Sequence, residues 1–364
     1  MKIVHVVDSM EMGGAETLVS QICRLQRTQG HDVAVYAVAA LGTLGERMRA
    51  DGFHLVSNIG SHLTDSTLNF YRLFRESRPD VVHIHNPTPT IYASLAAMIA
   101  GTASIISTRH SLVAPPHDRV AEAKYSIAAR FCDWVVGICD ATAENLKNLG
   151  TLPHRKIVRI YNGATPLDAP GIEKQPSKSG FTLVFVGRLQ PVKNLSLLLN
   201  AFRIALNSVP DLKLWIVGDG TERTALEKLA ADLQLSEFVT FWGQQLDVAP
   251  FLAAADTFVM SSVSEGLPVS LLQAFSLGLP AIVTDVGGMA EIARSANAGL
   301  VVPSQDAPAM TKAMLEMKAS ETLRTQFATN ASSAFKASFN LQTMVDAYMD
   351  IYLNTKRARR RQKT

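Results

Sequence analysis

The stretch that decides the fold is Phe181-Thr-Leu-Val-Phe-Val-Gly-Arg-Leu-Gln-Pro-Val-Lys-Asn194. Its first six residues are apolar or β-branched, which predicts a strand buried on both faces. Gly187 ends that strand, a short loop carries Arg188 and Lys193, and Asn194 can cap the helix that follows. A buried strand, a glycine-containing loop and a helix in this order are typical of a parallel α/β sheet.

The same alternation of strands and amphipathic helices runs through the whole chain. The first half has six predicted strands: Ile3–Val7, Val33–Val38, Val81–His85, Ser104–Thr108, Trp134–Ile138 and Ile157–Tyr161. The second half adds five strands after the first: Lys213–Val217, Phe238–Phe241, Thr257–Met260, Ala281–Thr284 and Gly299–Val302. Helices are predicted over Leu195–Asn207, Glu222–Asp232, Val269–Leu277 and Leu341–Leu353. Both halves therefore repeat one Rossmann-like architecture.

The pattern stops once, in a segment rich in Pro, Ser, Gly and Lys that is typical of a linker. This predicts a first domain over residues 1–164, a linker over 165–180 and a second domain over 181–340. A final helix over 341–355 is expected to pack back on the first domain, and a basic tail follows over 356–364.

Composition limits the possible classes. The 364 residues are too many for one ordinary core, and 47% hydrophobic with 18% charged residues is a globular balance. The net charge of +3 is small, and we expect no nucleic-acid partner. Three cysteines without a CxxC pair favour a reducing compartment. The N-terminus runs straight into a strand, and the most apolar stretch, of 16 residues, is too short to span a membrane. We therefore expect a cytoplasmic protein.

Two loops of the second half could bind a ligand, because ligands of open parallel sheets bind beyond the carboxyl ends of the strands. Arg188 and Lys193 beside a helix N-terminus favour a diphosphate, since the charges and the helix dipole both attract anions. Either cation alone would more often be a solvated surface residue. We therefore predict an anion site at this loop.

The other loop is Ser264-Glu-Gly-Leu-Pro268, in front of a predicted helix that carries Gln273. Glu265 and the free N–H groups behind it suit sugar hydroxyls and a nearby phosphate oxygen. The alternative is that Glu265 only complements the helix dipole, which contributes ~0.3–1 kcal/mol. A third glycine-rich strand end, Asp285-Val-Gly-Gly288, has a plain tight turn as its alternative.

The first half offers two further candidates. Gly13 and Gly14, between a strand and a helix, could admit an anion or could form a turn that needs positive φ, and both alternatives stay open. The loop lacks the G-x-G-x-x-G fingerprint, which weakens a dinucleotide site. His110 follows a strand end, where it could hydrogen-bond a sugar hydroxyl or support charge at a reacting centre. His83 and His85 point the same way from a strand, but a core or rim position is favoured over a metal site.

Taken together, these residues resemble glycosyltransferase family 4, the retaining nucleotide-sugar enzymes of the GT-B fold. Its most specific features are Gly187-Arg188-Leu189 with Lys193-Asn194, and Ser264-Glu265-Gly266-Leu267-Pro268. Asn162-Gly163 is similar to the family's Asn-Gly at the crossing between domains. The resemblance implies an α/β protein with two Rossmann-like parallel-sheet domains facing across a cleft.

The resemblance also implies roles for individual residues. Arg188 and Lys193 would bind the donor diphosphate, Glu265 would contact the donor sugar, and His110 would be the family's first-domain histidine; these four are the expected catalytic residues. The expected donor-binding residues are Gly13, Gly14, Gly187, Gly266, Leu267, Pro268 and Gln273. Gln273 stands where the family usually has a ribose-binding Glu, so the amide replaces a charge.

The implied activity is retaining transfer of a sugar from a nucleotide-diphosphate sugar, UDP- or GDP-linked, to a glycan or lipid-linked acceptor in polysaccharide or glycolipid biosynthesis. No metal or other cofactor is expected. The alternatives are a GT-B nucleotide-sugar epimerase or hydrolase, and a non-catalytic nucleotide-sugar-binding protein. A Rossmann dehydrogenase is disfavoured by the missing glycine fingerprint.

The C-terminal tail concentrates positive charge in six residues, Lys356, Arg357, Arg359, Arg360, Arg361 and Lys363. One interpretation is a solvated end that keeps the protein in solution. The other is attraction to anionic lipid, at ~1 kcal/mol per basic residue, which would place the enzyme peripherally at the inner face of the membrane. Both stay open at this point.

Overall fold

The computed structural model describes the chain apart from residues 12, 58, 60–61, 113–118, 170, 172–175, 177–178 and 362–364, and apart from the side chains of residues 63 and 356–361. It divides into two compact units. The first unit consists of Met1–Gly163 and Leu341–Thr364, and the second of Ala164–Asn340.

The first unit is built on a parallel sheet of seven strands in the order β3-β2-β1-β4-β5-β6-β7. The strands are β1 Lys2–Val7, β2 Asp32–Ala37, β3 His54–Val56, β4 Val81–His85, β5 Ser104–Arg109, β6 Trp134–Gly137 and β7 Ile157–Arg159. The helices between them are α1 Gly14–Thr28, α2 Gly42–Ala50, α3 Leu63–Ser77, α4 Pro87–Ala100, α5 Arg119–Ala129 and α6 Asp140–Asn148.

Helices cover both faces of this sheet, because alternate residues of a strand point to opposite sides. Val4 and Val6 of β1 pack in one core with Phe70 of α3. Val7 packs in a second core with Val19 of α1. The double burial explains why nearly every residue of β1, β2, β4 and β5 is buried.

The second unit repeats the architecture with six parallel strands in the order β10-β9-β8-β11-β12-β13. They are β8 Phe181–Val186, β9 Leu212–Val217, β10 Val239–Gly243, β11 Thr257–Met260, β12 Ala281–Thr284 and β13 Gly299–Val302. Its helices are α7 Leu195–Leu206, α8 Arg223–Asp232, α9 Ala249–Ala254, α10 Val269–Ser276, α11 Gly287–Ser295, α12 Ala307–Ala319 and α13 Glu321–Ala334.

The last helix, α14 Leu341–Arg361, contacts α1 and β5 of the first unit. It is longer than the sequence predicted, because its backbone continues through residues 356–361. Most of the basic segment therefore extends a helix instead of following one, although its side chains and residues 362–364 lie outside the described part of the chain. None of the helices formed by the described residues combines the length and apolar character that a bilayer span requires.

Two other features differ from, or add to, the prediction. β3 was not predicted, because its three residues are too few to show a strand pattern. The described residues of the predicted linker, 165–180, form no helix or strand, and the remainder of that segment lies outside the described residues.

In each sheet the strand order reverses once, between β1 and β4 in the first unit and between β8 and β11 in the second. Neighbouring crossovers leave the sheet in opposite directions at such a point, which opens a crevice at the carboxyl ends of the two strands. The loops after these four strands contain most of the residues that the sequence singled out.

Candidate active site

In the second unit, an ion pair links the loops that follow β8 and β11. Lys193 Nζ donates to Glu265 Oε2 over 2.6 Å, and the two side chains are only 13% and 16% exposed. The Ser261 hydroxyl lies 2.9 Å from the Lys193 carbonyl oxygen and 3.0 Å from that of Asn194, which ties the end of β11 to the same loop. The residue expected at the diphosphate and the one expected at the sugar are therefore in direct contact.

Arg188 has a different environment from Lys193. It is exposed, and its guanidinium makes no hydrogen bond or ion pair with the described residues. The backbone next to it is fixed, because the Gly187 N–H donates to the Val217 carbonyl over 3.0 Å. Arg188 can therefore move onto an anionic ligand without first breaking a protein contact.

Two glycines that the sequence does not single out hold this loop in place. A Cβ on Gly218, which has φ 138°, would overlap the Gly187 carbonyl oxygen. A Cβ on Gly220 would lie 2.8 Å from the backbone nitrogen of Leu189 and overlap its carbonyl oxygen. The signal was present as Gly218-Asp-Gly220, directly after a predicted strand.

The predicted side-chain cap at Asn194 is wrong. Asn194 does occupy the N-cap position of α7, but in the left-handed conformation with φ 49°, and its side chain makes no capping hydrogen bond. The reason is that residues 191–193 form one turn of 3₁₀ helix, after which the chain must reverse its twist to enter α7. The Asn194 side chain bonds Ser196 over 3.2 Å instead.

The loop that carries Glu265 rests on the turn after β12. The Gly288 N–H donates to the Gly266 carbonyl over 2.7 Å. Gly287 has φ 53°, and a Cβ there would overlap the Glu265 carbonyl oxygen. The turn is therefore more than a plain connection, because it holds Glu265 against Lys193. Leu267 and Pro268, next in the loop, are buried just before α10.

Gln273 is the fifth residue of α10 and is half-buried. Its carbonyl oxygen accepts a hydrogen bond from the Ser276 hydroxyl over 2.7 Å. Its side-chain amide makes no hydrogen bond within the part of the chain that the structure describes. The amide is therefore available to a ligand.

Among the described residues of the glycine loop after β1, none has the positive φ that one alternative required. Gly13 is extended, with φ −160°, and Gly14 is the first residue of α1, so the positive-φ turn is wrong. A Cβ on Gly14 would meet nothing within 4 Å, which leaves its backbone open to a ligand. Burial raises the pKa of Asp8 to about 6, and the negative charge of the nearby Glu16 acts in the same direction. A hydrogen bond from Thr88 opposes the shift. These carboxylates favour a hydroxylated ligand over an anion at this loop.

His110 directly follows β5 and is held from several sides. Its backbone N–H donates to Asn86 Oδ1 over 3.3 Å, and its ring Nε2 lies 3.0 Å from His85 Nδ1. The preceding Arg109 makes a bidentate pair with Glu122, at 2.7 Å for both bonds. Burial lowers the pKa of His110 to about 4, so the ring is neutral at physiological pH.

His83 and His85 are buried in the core, as the sequence favoured, and β1 adds His5 opposite His83 in the register. Ring nitrogens of these three lie within 4.8 Å of one another, which is close enough for a metal. All six nitrogens are already hydrogen-bonded, those of His83 to the hydroxyls of Tyr352 (2.6 Å) and Thr108 (2.8 Å). A metal would have to break at least two of these bonds, because His5 and His85 share one and each nitrogen of His83 has its own, so the cluster is a hydrogen-bonded network.

Two family models match the chain in succession. Residues 12–166 match the model for Glycosyltransferase Family 4, and residues 172–334 match the model for Glycosyl transferases group 1. The two matches cover most of both units and include Gly13, Gly14, His110, Arg188, Lys193 and Glu265. The chain belongs to glycosyltransferase family 4.

Curated relatives of this family 4 glycosyltransferase include the lipopolysaccharide core biosynthesis glycosyltransferase LpsE of Rhizobium meliloti, 31% identical over 223 residues. That alignment spans 61% of this chain and 64% of LpsE, just under two thirds of the relative. The UDP-Gal:alpha-D-GlcNAc-diphosphoundecaprenol alpha-1,3-galactosyltransferase of Escherichia coli is 27% identical over 79% of each chain.

Among solved structures, that of HepE from Anabaena in complex with UDP superposes with a TM-score of 0.83 at 18% identity. The match covers 96% of this chain and 99% of HepE. At this identity the similarity shows the fold, which is the GT-B fold of two Rossmann-like parallel-sheet domains.

Proposed function

We propose that this glycosyltransferase takes a sugar from a UDP-sugar and transfers it, with retention of anomeric configuration, to a lipid-linked glycan. The donor is suggested by HepE, whose structure contains UDP, and by the Escherichia coli relative, which is named for a UDP-galactose donor. That relative's acceptor is a diphosphoundecaprenol-linked sugar, which supports the acceptor class.

The observation that carries this proposal is the Lys193–Glu265 ion pair at the strand-order reversal of the second unit. A cation held at 2.6 Å by a carboxylate places the two groups that a nucleotide sugar needs side by side. Lys193 and the exposed Arg188 would stabilise the negative charge that develops on the departing diphosphate. Glu265 would accept hydrogen bonds from sugar hydroxyls. No cofactor or metal is required in this scheme.

The proposal is tested by transfer assays with a panel of UDP- and GDP-sugars and a lipid-diphosphate-linked acceptor. Arg188→Ala and Lys193→Ala should each lower kcat/KM by roughly 10²–10³-fold, as loss of one preorganised charge-stabilising donor does. Arg203→Ala on α7 is the matched control, because within the described residues this side chain bonds Asn207 alone, at the surface, and its loss should leave turnover unchanged. Release of UDP without acceptor dependence would show a hydrolase or an epimerase instead.

Glu265→Gln separates the sugar contact from the phosphate contact. It should reduce transfer while UDP binding is kept, because the amide can no longer accept as strongly from sugar hydroxyls but Lys193 stays available to phosphate. Calorimetric titration with UDP measures the UDP affinity of the variant. Equal losses of UDP binding and transfer would place Glu265 at the phosphate. Retention is tested by the anomeric proton coupling of the isolated product.

We also propose that the enzyme is cytoplasmic and peripheral at the inner face of the membrane, through the basic residues of the C-terminal segment. The support is the charge run itself and a lipid-linked acceptor. A full-length variant with the six basic residues changed to Gln keeps the length of α14 and should lose binding to vesicles containing anionic lipid. Salt should weaken wild-type binding in the same assay. Equal partitioning of the two proteins at low salt would exclude this role.

A further inference from the structure

A chain of hydrogen bonds runs through the first unit and ends at His110. Gln26 Oε1 lies 2.8 Å from His5 Nε2, and His5 Nδ1 lies 3.0 Å from His85 Nε2. His85 Nδ1 in turn lies 3.0 Å from His110 Nε2. The last nitrogen, His110 Nδ1, is buried and has no hydrogen-bond partner among the described residues. The family roles given above leave Gln26, His5 and His85 unused.

All the hydrogen bonds in this series must donate in the same direction, towards Gln26, and the Gln26 side chain decides that direction. A neutral imidazole carries one N–H donor and one acceptor nitrogen. The Gln26 carbonyl oxygen can only accept, so His5 must carry its proton on Nε2 and accept with Nδ1. His85 must then donate from Nε2, and so must His110. One amide oxygen therefore fixes the tautomers of three histidines, and leaves His110 Nδ1 with a free lone pair.

These tautomers require that each histidine ring is neutral, and burial of the rings keeps them neutral. Burial lowers the pKa of His5 to about 4, with the Gln26 hydrogen bond opposing the shift. Burial also lowers the pKa of His85 well below its usual value, and repulsion from His83, His5 and His110 lowers it further. A protonated ring inside the chain would present two donors and would face another donor on one side. The neutral, directed arrangement is the one that satisfies every bond.

We propose that Gln26, His5 and His85 are positioning residues that fix the tautomer of His110, so that Nδ1 is presented to the substrate as a hydrogen-bond acceptor. This rests on the proposed function for the identity of the substrate. A lone pair attracts an O–H donor and repels the oxygens of a phosphate, which can only accept. The group recognised by His110 is thus a sugar hydroxyl, and the chain excludes a phosphate from that position.

The tautomer can be observed directly by nitrogen NMR of the full-length protein with labelled histidine, since protonated and bare ring nitrogens resonate in separate ranges. His110→Asn identifies the His110 signals. We expect Nε2 to be protonated and Nδ1 bare in the wild type. Gln26→Glu keeps an acceptor oxygen and should preserve this state. Gln26→Leu removes the acceptor at similar volume and should give mixed or reversed tautomers.

Transfer kinetics show whether the tautomer matters to the reaction. Gln26→Leu should lower kcat by roughly tenfold or more, within the range of proton-transfer and hydrogen-bonding contributions at catalytic centres, and leave UDP affinity unchanged. Gln26→Glu should restore kcat. Tyr348→Phe is the matched control, because it removes a neighbouring buried hydrogen bond, to Thr108, and within the described residues the Tyr348 hydroxyl bonds no member of the series from Gln26 to His110. It should keep both the His110 tautomer and kcat.

Three results would overturn the proposal: protonation of Nδ1 of His110 in the wild type, an unchanged tautomer in Gln26→Leu, or a changed tautomer with unchanged kcat. These outcomes are separate from failure of the proposed function. If no UDP-sugar supports transfer by the wild type, the function fails while the NMR result still decides whether the chain sets the tautomer.

Discussion

The stability of the first unit should fall steeply as the pH drops from 7 to 5. Burial lowers the pKa of His5 and His110 to about 4, against 6.5 for an unperturbed histidine, and lowers His83 and His85 further. Below pH 6.5 the unfolded chain therefore binds more protons than the native one. The sign follows from linkage: stability rises with pH wherever the unfolded state holds more protons, so acidification withdraws it.

The magnitude follows from the same shifts. A histidine with a folded pKa of about 4 and an unfolded value of 6.5 withdraws ~2 kcal/mol of the free energy of unfolding between pH 7 and pH 5. His5 and His110 together withdraw ~4 kcal/mol, and His83 and His85 add to this. Asp8 opposes the trend, because its raised pKa of about 6 returns ~1 kcal/mol over the same interval. Since domains are stable by only ~5–15 kcal/mol, the net loss is large.

The sequence offers an internal control, because all nine histidines precede the second unit. Trp134 is the tryptophan of the first unit, and Trp215 and Trp242 belong to the second, so fluorescence can report the units separately. Urea unfolding of a Trp215→Phe/Trp242→Phe variant follows the first unit, and Trp134→Phe follows the second. The first unit should lose stability between pH 7 and pH 5, and the second should lose far less. The buried neutral network would be refuted if the free energy of unfolding of the first unit did not change between pH 7 and pH 5, or if both units lost the same amount.

Three substitutions test the loops. Gly14→Ala should leave stability unchanged or slightly raised, because Gly14 is helical with open space around it, and a fall in transfer rate without unfolding would show that a ligand approaches this backbone. Gly287→Ala should cost more stability and activity than Gly278→Ala, because both glycines have positive φ, 53° and 69°, but only the first would push against Glu265; equal thermal shifts would contradict this. Gln273→Glu should be tolerated with UDP affinity within about fivefold, an effect of ~1 kcal/mol, and a collapse in titration calorimetry would show that the neutral amide is required.

Most of the sheet could be predicted because both faces of its strands are buried. Strands such as β8 and β12 are continuous runs of apolar and β-branched residues, and a run of that kind between loops has few other interpretations. β3 escaped because it has three residues and only partial burial. The end of α14 could not be predicted, because a run of basic residues has the same sequence pattern in a solvated tail and in a helix.

The loops were predictable in composition but not in their contacts. Arg188, Lys193 and Glu265 were recognised from their places after strands, but their spacing in the sequence could not show that Lys193 and Glu265 form an ion pair. That contact depends on β8 and β11 being neighbours, although two strands and 70 residues lie between them. The sequence does not reveal the contacts of His5 for the same reason, since its register partner on β4, His83, is 78 residues further on.

The ion pair also affects the relative affinities for the nucleotide sugar and the free nucleoside diphosphate. Lys193 is neutralised by Glu265, while the Arg188 side chain is exposed and makes no hydrogen bond or ion pair with the described residues. A free nucleoside diphosphate must compete with the carboxylate for Lys193, and gains nothing from Glu265 in return. A nucleotide sugar draws Lys193 to its phosphate and offers hydroxyl donors to the carboxylate left behind, so neither charge ends up buried without a partner. On the proposed function, the pair therefore favours the intact donor over the spent nucleotide, which helps the product to leave. The Glu265→Gln variant should lose this preference and bind UDP and the UDP-sugar with similar affinity.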